Sequence, residues 1–369
     1  MPSNAHAVDV AVVGGGIIGL AVAWRARQRG LSVAVLERGV IGAECASGVA
    51  AGMLAPVSEV EFGEAGRRVL ELGLRSARMW RDFAAELERA AGVEVGLRES
   101  GTLVLARDED EARELERQLA LRESLGLPTT RLRASAAREL EPALAPTVRL
   151  ALEAPADHSV DPRLVLVALR RACELGGVQV REHAPVISVA LGNPDGPVAG
   201  VTLADGERVI AGQVVLAAGA WSGEIAGLPP HARVPLRPVK GQILRLRDPA
   251  GSGLLERVVR FAGGYIVPRG DGRYVLGATV EERGFDAQPT VGGVYELLRD
   301  ARELVPGILE LQIEELSVGF RPSTPDNVPV VGVGAIEGLV WATGHHRNGI
   351  LLTPLTAELV TETLAGVPA

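Results

Sequence analysis

The chain has 369 residues, 47% of them hydrophobic and 23% charged, with a net charge of −8 and an isoelectric point near 5.5. This composition describes a globular chain long enough for two domains. It offers no basic surface for nucleic acid and no stretch of the roughly 18 apolar residues that a membrane span needs. Cys45 and Cys173 lie far apart and form no C-x-x-C pair, so the expectation is a reducing, cytoplasmic setting with no metal site.

After "MPSNAHAVD" the first apolar run lacks a basic leader and is broken by glycines, so it reads as strand and helix rather than as a signal peptide. The predicted strand Val10 to Val13 and helix Ile17 to Gln28 enclose Gly14, Gly16 and Gly19, the G-x-G-x-x-G of a dinucleotide-binding turn. Gly14 would allow the tight turn, Gly16 the approach of a pyrophosphate, and Gly19 the packing of helix on strand. Glu37, at the end of the second strand, would take the ribose hydroxyls. An acidic residue there disfavours a 2′-phosphate, which argues against NADP and leaves NAD and FAD open.

The small-residue run "ECASGVAAGMLAP" (44 to 56) would let backbone approach a ligand. Val69, Leu72, Trp80, Phe83 and Leu87 mark the buried face of a helix, with Trp80 read as core. "GTLVLA" (101 to 106) reads as a strand and residues 107 to 126 as a solvated helix. Asp161 as N-cap, Pro162 at the first helical position and a closing Gly-Gly define the next helix. Strands follow through "VQVREHAPVISVAL", with an Asp205-Gly206 hairpin turn, and "QVVLAAGAW" (213 to 221) is a buried strand. "KGQILRLR" (240 to 247) and "GRYVLGATV" (272 to 280) alternate with period two, as in an antiparallel sheet. The tail repeats the opening: a strand, a glycine-containing loop, and a helix from about Asn348. Lys240 is the one lysine, so 37 of the 38 basic residues are arginine. A compact ammonium there could make a contact that a guanidinium cannot copy.

These blocks imply an α/β (α+β overall) chain: a discontinuous Rossmann-like nucleotide domain (1–82, 155–235 and 315–369) with an inserted antiparallel-sheet substrate domain (83–154 and 236–314). "VVGGGIIGLAVAW", "AAGMLAP", "VVLAAGAWS", "PVKGQ", "GYIVPR", "GATVE", "GFRPSTPDNVPVVG" and "TGHHRNGILLTP" occur in that order. In them the chain resembles the D-amino-acid-oxidase-like FAD-dependent oxidoreductases, closest to the glycine oxidases of thiamine biosynthesis.

The resemblance implies non-covalent FAD. It would be lined by Ile17, Ile18, Glu37, Arg38, Cys45, Ala46, Ala51, Gly52, Met53 and Val186, together with Gly14, Gly16, Gly19 and Gly219. The loop His345, His346, Arg347, Asn348, Gly349, Ile350 and Leu351 would meet the pyrimidine edge of the flavin, with a helix start near Asn348 favouring the charge of the reduced ring. No proton-transfer role is assigned to His345 or His346. Arg321 of "GFRP" would pin the substrate carboxylate, helped by Tyr265 of "GYIVPR" and, at the site edge, by Arg347. Val280 departs from the methionine found in this branch, which leaves the preferred amine open.

The implied reaction is oxidation of glycine, sarcosine or small D-amino acids by hydride transfer to flavin. Oxygen would give hydrogen peroxide, and the imine would yield 2-oxo acid and ammonia or feed the thiazole machinery of thiamine synthesis. Homo-oligomers are expected. The alternatives are a D-amino-acid dehydrogenase with a quinone acceptor and a non-catalytic flavin-binding protein.

Overall fold

The computed structural model describes residues 7–43, 45–193, 196–251 and 253–365. Among them, two eight-stranded sheets carry the architecture. The first is built on the strands Leu339–Thr343, Arg208–Leu216, Ala7–Val13, Val33–Leu36 and Gln179–Arg181, neighbours in that order and all parallel. Their near-continuous aliphatic runs suit strands covered on both faces. On one side lie the helices Ile17–Gln28, Pro162–Gly176, Thr353–Ala365 and Gly63–Ala91. On the other, the hairpin Val186–Leu191 and Val198–Leu203 and the turns after Gly219 complete a second core with Val8, Ala11, Val13 and Trp341.

Local signals act as their chemistry predicts. Asp161 caps the helix Pro162–Gly176 by accepting from Arg163 N at 3.0 Å, Pro162 opens it, and Gly177 closes it in a left-handed conformation. Arg208–Leu216 returns from Val198–Leu203 through the Asp205-Gly206 turn.

The second sheet runs Gln312–Ser323, Arg237–Arg247, Arg273–Gly277, Gly264–Pro268, Val258–Phe261, Thr102–Ala106, Leu150–Ala154 and Thr130–Arg133. It is not wholly antiparallel: Val258–Phe261 pairs in parallel with Thr102–Ala106. A parallel pair needs a long crossover, and here the chain between the two strands travels through the nucleotide half. One face is covered by the helix Val291–Leu304 and neighbouring residues. The opposite face sets Ile243, Val258, Val267, Val275 and Ala278 against Val49 and Ala51.

Three sequence expectations are corrected. The boundary at 82/83 falls inside the unbroken helix Gly63–Ala91, whose buried Trp80, Phe83, Leu87 and Ala91 all belong to the nucleotide core. The boundary at 314/315 falls inside Gln312–Ser323, a strand of the second sheet. The last helix begins at Thr353 rather than near Asn348, after turns closed by Asn348 N to the His345 carbonyl and Leu352 N to the Asn348 carbonyl, both at 2.8 Å. Pro354 has no N–H and a fixed φ, so it belongs in a first turn. That later start also removes the helix end expected at Asn348. No helix among the described residues is long and apolar enough to cross a membrane.

The two halves are joined by charge as well as by packing. Arg163 makes a bidentate pair with Glu315 at 2.7 and 2.8 Å and donates to the Gly48 carbonyl at 2.8 Å, which Arg245 also reaches at 2.8 Å. The hydrogen bonds from Arg163 pull the Glu315 carboxyl down to about 2.

Trp80 is core, as expected, with one addition: its indole N–H donates to the Leu351 carbonyl at 2.9 Å, beside Ser76 Oγ at 2.7 Å. Trp80→Phe should therefore destabilise the protein by about 1–3 kcal/mol, read as a lower urea midpoint at unchanged slope. A midpoint equal to that of the parent would deny the indole bond any part in holding the C-terminal loop.

Candidate active site

The parallel strands Ala7–Val13, Arg208–Leu216 and Leu339–Thr343 end at one crevice, where ligands bind in open α/β sheets. From it a cavity of about 730 Å³ runs between the halves to the second sheet, within the roughly 300–1,000 Å³ typical of ligand sites.

At the nucleotide end the three glycines have separate tasks. Gly14 has φ +107°, and a Cβ there would lie 2.6 Å from the Ala217 carbonyl oxygen. A Cβ on Gly19 would lie 2.0 Å from the Gly14 carbonyl oxygen, so this residue serves helix packing and does not line the cavity. A Cβ on Gly16 would meet nothing nearer than Ser47 Oγ at 3.6 Å. Packing does not demand glycine at position 16, and its backbone lies open to the cavity. Glu37 lines the same end and accepts from Gly15 N at 2.6 Å and Gly39 N at 3.1 Å. These bonds leave carboxylate lone pairs for hydroxyl donors. Arg38 lies 3.6 Å from the centre of the Trp221 ring.

Of the remaining expected cofactor residues, Ile17, Ile18, Cys45, Ala46, Ala51, Gly52, Met53, Val186, Gly219, His345, His346, Arg347, Gly349 and Ile350 line the cavity. Asn348 and Leu351 do not; they border a smaller recess behind the loop, where Leu351 is turned into the core. Burial pushes the Cys45 thiol up, away from thiolate. Burial also lowers both imidazoles to about 4, leaving them neutral near pH 7. His345 Nε2 bonds Thr356 Oγ1 at 2.9 Å, and His346 Nδ1 bonds Ser323 Oγ at 2.6 Å.

At the other end, Arg321 and Tyr265 come together from the strands Gln312–Ser323 and Gly264–Pro268. Arg321 donates to the carbonyls of Lys240 at 3.2 Å and Thr279 at 3.1 Å, and no carboxylate among the described residues pairs with it. Burial lowers its pKa. A partly desolvated cation bound only by carbonyl dipoles can receive an anion. Burial raises the Tyr265 phenol, which keeps its proton as a donor. Arg347, by contrast, is already matched, to Glu61 at 2.5 Å and Glu59 at 3.6 Å.

Sequence reasoning missed Glu59 and Arg260, which both line this end and pair at 3.1 Å. Arg260 also donates to the Ser58 carbonyl, and the buried Asp157 accepts from Val57 N at 3.0 Å and Ser58 N at 2.6 Å, fixing the turn that presents Glu59. No local pattern marks contacts between residues so far apart in the chain.

The site and fold are those of a flavoprotein oxidoreductase. The family described as DAO, FAD dependent oxidoreductase, matches residues 9–363, and the chain belongs to it; FAD is its cofactor. More particularly, it is 36% identical over 364 residues to a glycine oxidase of Geobacillus kaustophilus, covering 97% of this chain and 93% of that one. The crystal structure of glycine oxidase from that organism matches with a TM-score of 0.88 at 34% identity, over 99% of this chain and 96% of the other. A bifunctional ThiO/ThiG protein of Synechocystis is 37% identical over 360 residues, covering 96% of this chain. The chain spans only 51% of that bifunctional relative's length.

The division of labour among the glycines is testable on the apoprotein. Gly19→Ala should cost about 1–3 kcal/mol or more, because its Cβ meets fixed backbone. Gly16→Ala should change stability by about 1 kcal/mol or less yet weaken FAD binding at least about tenfold by blocking approach to the backbone. Unfolding curves and fluorescence titration with FAD read both, and equal FAD affinity in parent and Gly16→Ala would remove Gly16 from the cofactor site.

Proposed function

We propose that this protein oxidises glycine and other small amino acids, sarcosine and small D-amino acids among them, at the carbon bearing the amine. The imine formed takes up water to give the 2-oxo acid and ammonia, or methylamine where sarcosine is the substrate, and oxygen leaves as hydrogen peroxide. For glycine the balance is glycine, oxygen and water to glyoxylate, ammonia and hydrogen peroxide. One observation carries the reading: Arg321 is a half-buried guanidinium on the cavity wall, and no carboxylate among the described residues pairs with it. The similarity to glycine oxidases supports it.

FAD, when bound, supplies the two-electron acceptor. The chain's own residues bind and orient. Arg321 takes the substrate carboxylate through a bidentate contact, and the protonated Tyr265 phenol donates to the same group. Pinning the carboxylate fixes the reacting carbon relative to the cofactor, which removes the entropic part of the barrier. Arg347, held by Glu59 and Glu61, borders the site and is the second candidate for the carboxylate. Apolar neighbours, Ile243, Ala278 and Val280, limit the room for a side chain at this end. The protein would act as a cytoplasmic homo-oligomer. Similarity over about half the length of a ThiO/ThiG protein supports the imine as a feed for the thiazole of thiamine.

FAD is held without a covalent bond in this reading: Cys173 is fully buried and does not line the cavity, while the Cys45 thiol that does is pushed up by burial, away from thiolate. Heat or acid should release intact FAD into solution from a yellow holoprotein, and colour remaining with the precipitated polypeptide would refute the non-covalent reading.

Arg321→Met tests the substrate assignment. Loss of a buried charge pair costs roughly 2–5 kcal/mol, which is about 30- to several-thousand-fold in kcat/KM for glycine. FAD content should hold, since other segments bind the cofactor. An amine without a carboxylate should lose far less than glycine does. Equal losses for both substrates would move the carboxylate site elsewhere, with Arg347 next in line. A parent enzyme that glycine reduces without peroxide appearing in air would point instead to an acceptor other than oxygen.

A further inference from the structure

The side chain of the one lysine of the chain lies outside every role described above. Lys240 sits on the strand Arg237–Arg247 with its side chain fully buried, 0% exposed. Its ammonium donates to the Gln288 carbonyl at 2.6 Å and faces Asp286 at 3.4 Å and Glu281 at 3.7 Å. Backbone bonds at 3.0 Å run both ways between Lys240 and Glu281. Two positions along the same strand, the Gln242 amide donates to Glu281 Oε1 at 2.7 Å and Thr290 Oγ1 at 3.0 Å, and its oxygen accepts from Thr290 N at 2.9 Å. The segment 281–290 is thus pinned at both ends to one strand. Its crown carries Phe285, stacked on Trp221 with ring centres 5.0 Å apart and edge-on to Phe320 at 5.5 Å. Trp221 and Phe320 line the cavity.

The same stretch of backbone holds Arg321. Its guanidinium donates to the carbonyls of Lys240 and Thr279 and lies flat over Gly241, where a Cβ would stand 2.7 Å from both terminal nitrogens. The residues that clasp the segment therefore also form the cradle of the carboxylate receptor.

We infer that Lys240 is a positioning residue for Arg321: it clasps the strap 281–290 to the strand Arg237–Arg247 and so fixes the two carbonyls that aim the guanidinium at the substrate. The inference rests on reading Arg321 as the carboxylate anchor. The Gln288 carbonyl and the Asp286 and Glu281 carboxylates converge on one point at Lys240 Nζ, which suits a compact ammonium. The wider, planar fork of arginine cannot meet all three without moving the strap, which explains why lysine stands here in a chain that otherwise uses arginine.

The test uses the holoenzyme with Lys240→Gln, Lys240→Arg and Asp286→Asn. The probes are glycolate, which has the carboxylate but no amine and is followed by the flavin absorbance change, then glycine turnover, and turnover of an amine without a carboxylate. Lys240→Gln should raise the glycolate Kd and the glycine KM by about tenfold, with FAD content and turnover of the carboxylate-free amine within about twofold of the parent. Lys240→Arg should move the same two constants in the same direction. Asp286→Asn, at an exposed position of the strap, should raise them by about two- to threefold. Should Lys240→Gln fail to fold, unchanged glycolate binding in Lys240→Arg and Asp286→Asn overturns the inference. Parallel losses with glycine and with the carboxylate-free amine also overturn it, because a merely structural lysine would act on both. A parent enzyme that oxidises no amino acid would refute the proposed function, while the glycolate titration would still decide the clasp.

Discussion

The cofactor half depends on one backbone contact, the seating of Gly19 on the carbonyl of Gly14. A Cβ at position 19 would fall 2.0 Å from that oxygen, so the helix Ile17–Gln28 lies as close to the end of its strand as two main chains permit. The closeness brings the start of the helix, with its first N–H groups and positive dipole end, to the mouth of the crevice. Gly14, itself in a left-handed conformation, rests against Ala217 of the adjacent strand end. Neighbouring parallel strands are in this way made to finish level, and a continuous wall of backbone from Gly14 to Gly219 becomes available to a ligand.

At the far end of the cavity the governing quantity is the desolvation of charge. In a chain with 37 arginines, basicity distinguishes none of them; what they are paired with does. Arg163, Arg260 and Arg347 each meet a carboxylate. Arg321, half-buried on the cavity wall, has only carbonyl oxygens as partners among the described residues, an arrangement that an arriving anion would complete. Sites that bind by completing a charge pair carry this kind of deficit. Gly241 has a matching role, since any side chain there would displace the guanidinium it supports.

Much of this was legible in the sequence because the relevant signals are local. Helix Ile17–Gln28, the Asp161 cap with Pro162, and the Asp205-Gly206 turn depend on neighbours within a few residues, and each stands where patterning puts it. The start of the last helix was displaced because turns closed at His345 and Asn348 continue a helix-like pattern that periodicity cannot separate from a true first turn. The domain limits failed for a different reason. A helix such as Gly63–Ala91 can serve one core along its whole length, whatever the chain does next. Glu59, Arg260 and the partners of Lys240 were illegible individually, since their meaning lies in contacts across about 41 to more than 200 residues.

Those long-range contacts also make the site a product of both halves. The loop from His345 to Ile350 closes the cavity, yet little in its own sequence would hold it there. Its supports come from elsewhere: His345 is bonded to Thr356 of the last helix, His346 to Ser323 of the second sheet, and the Leu351 carbonyl to Ser76 and Trp80 of the long helix. With His346 N also donating to the Pro322 carbonyl at 2.8 Å, the loop is tied to the strand that carries Arg321. A displacement of that strand therefore reaches the loop through a single residue, and the spacing between the loop and Arg321 is set by covalent chain and short hydrogen bonds rather than by the looser contacts of an interdomain surface.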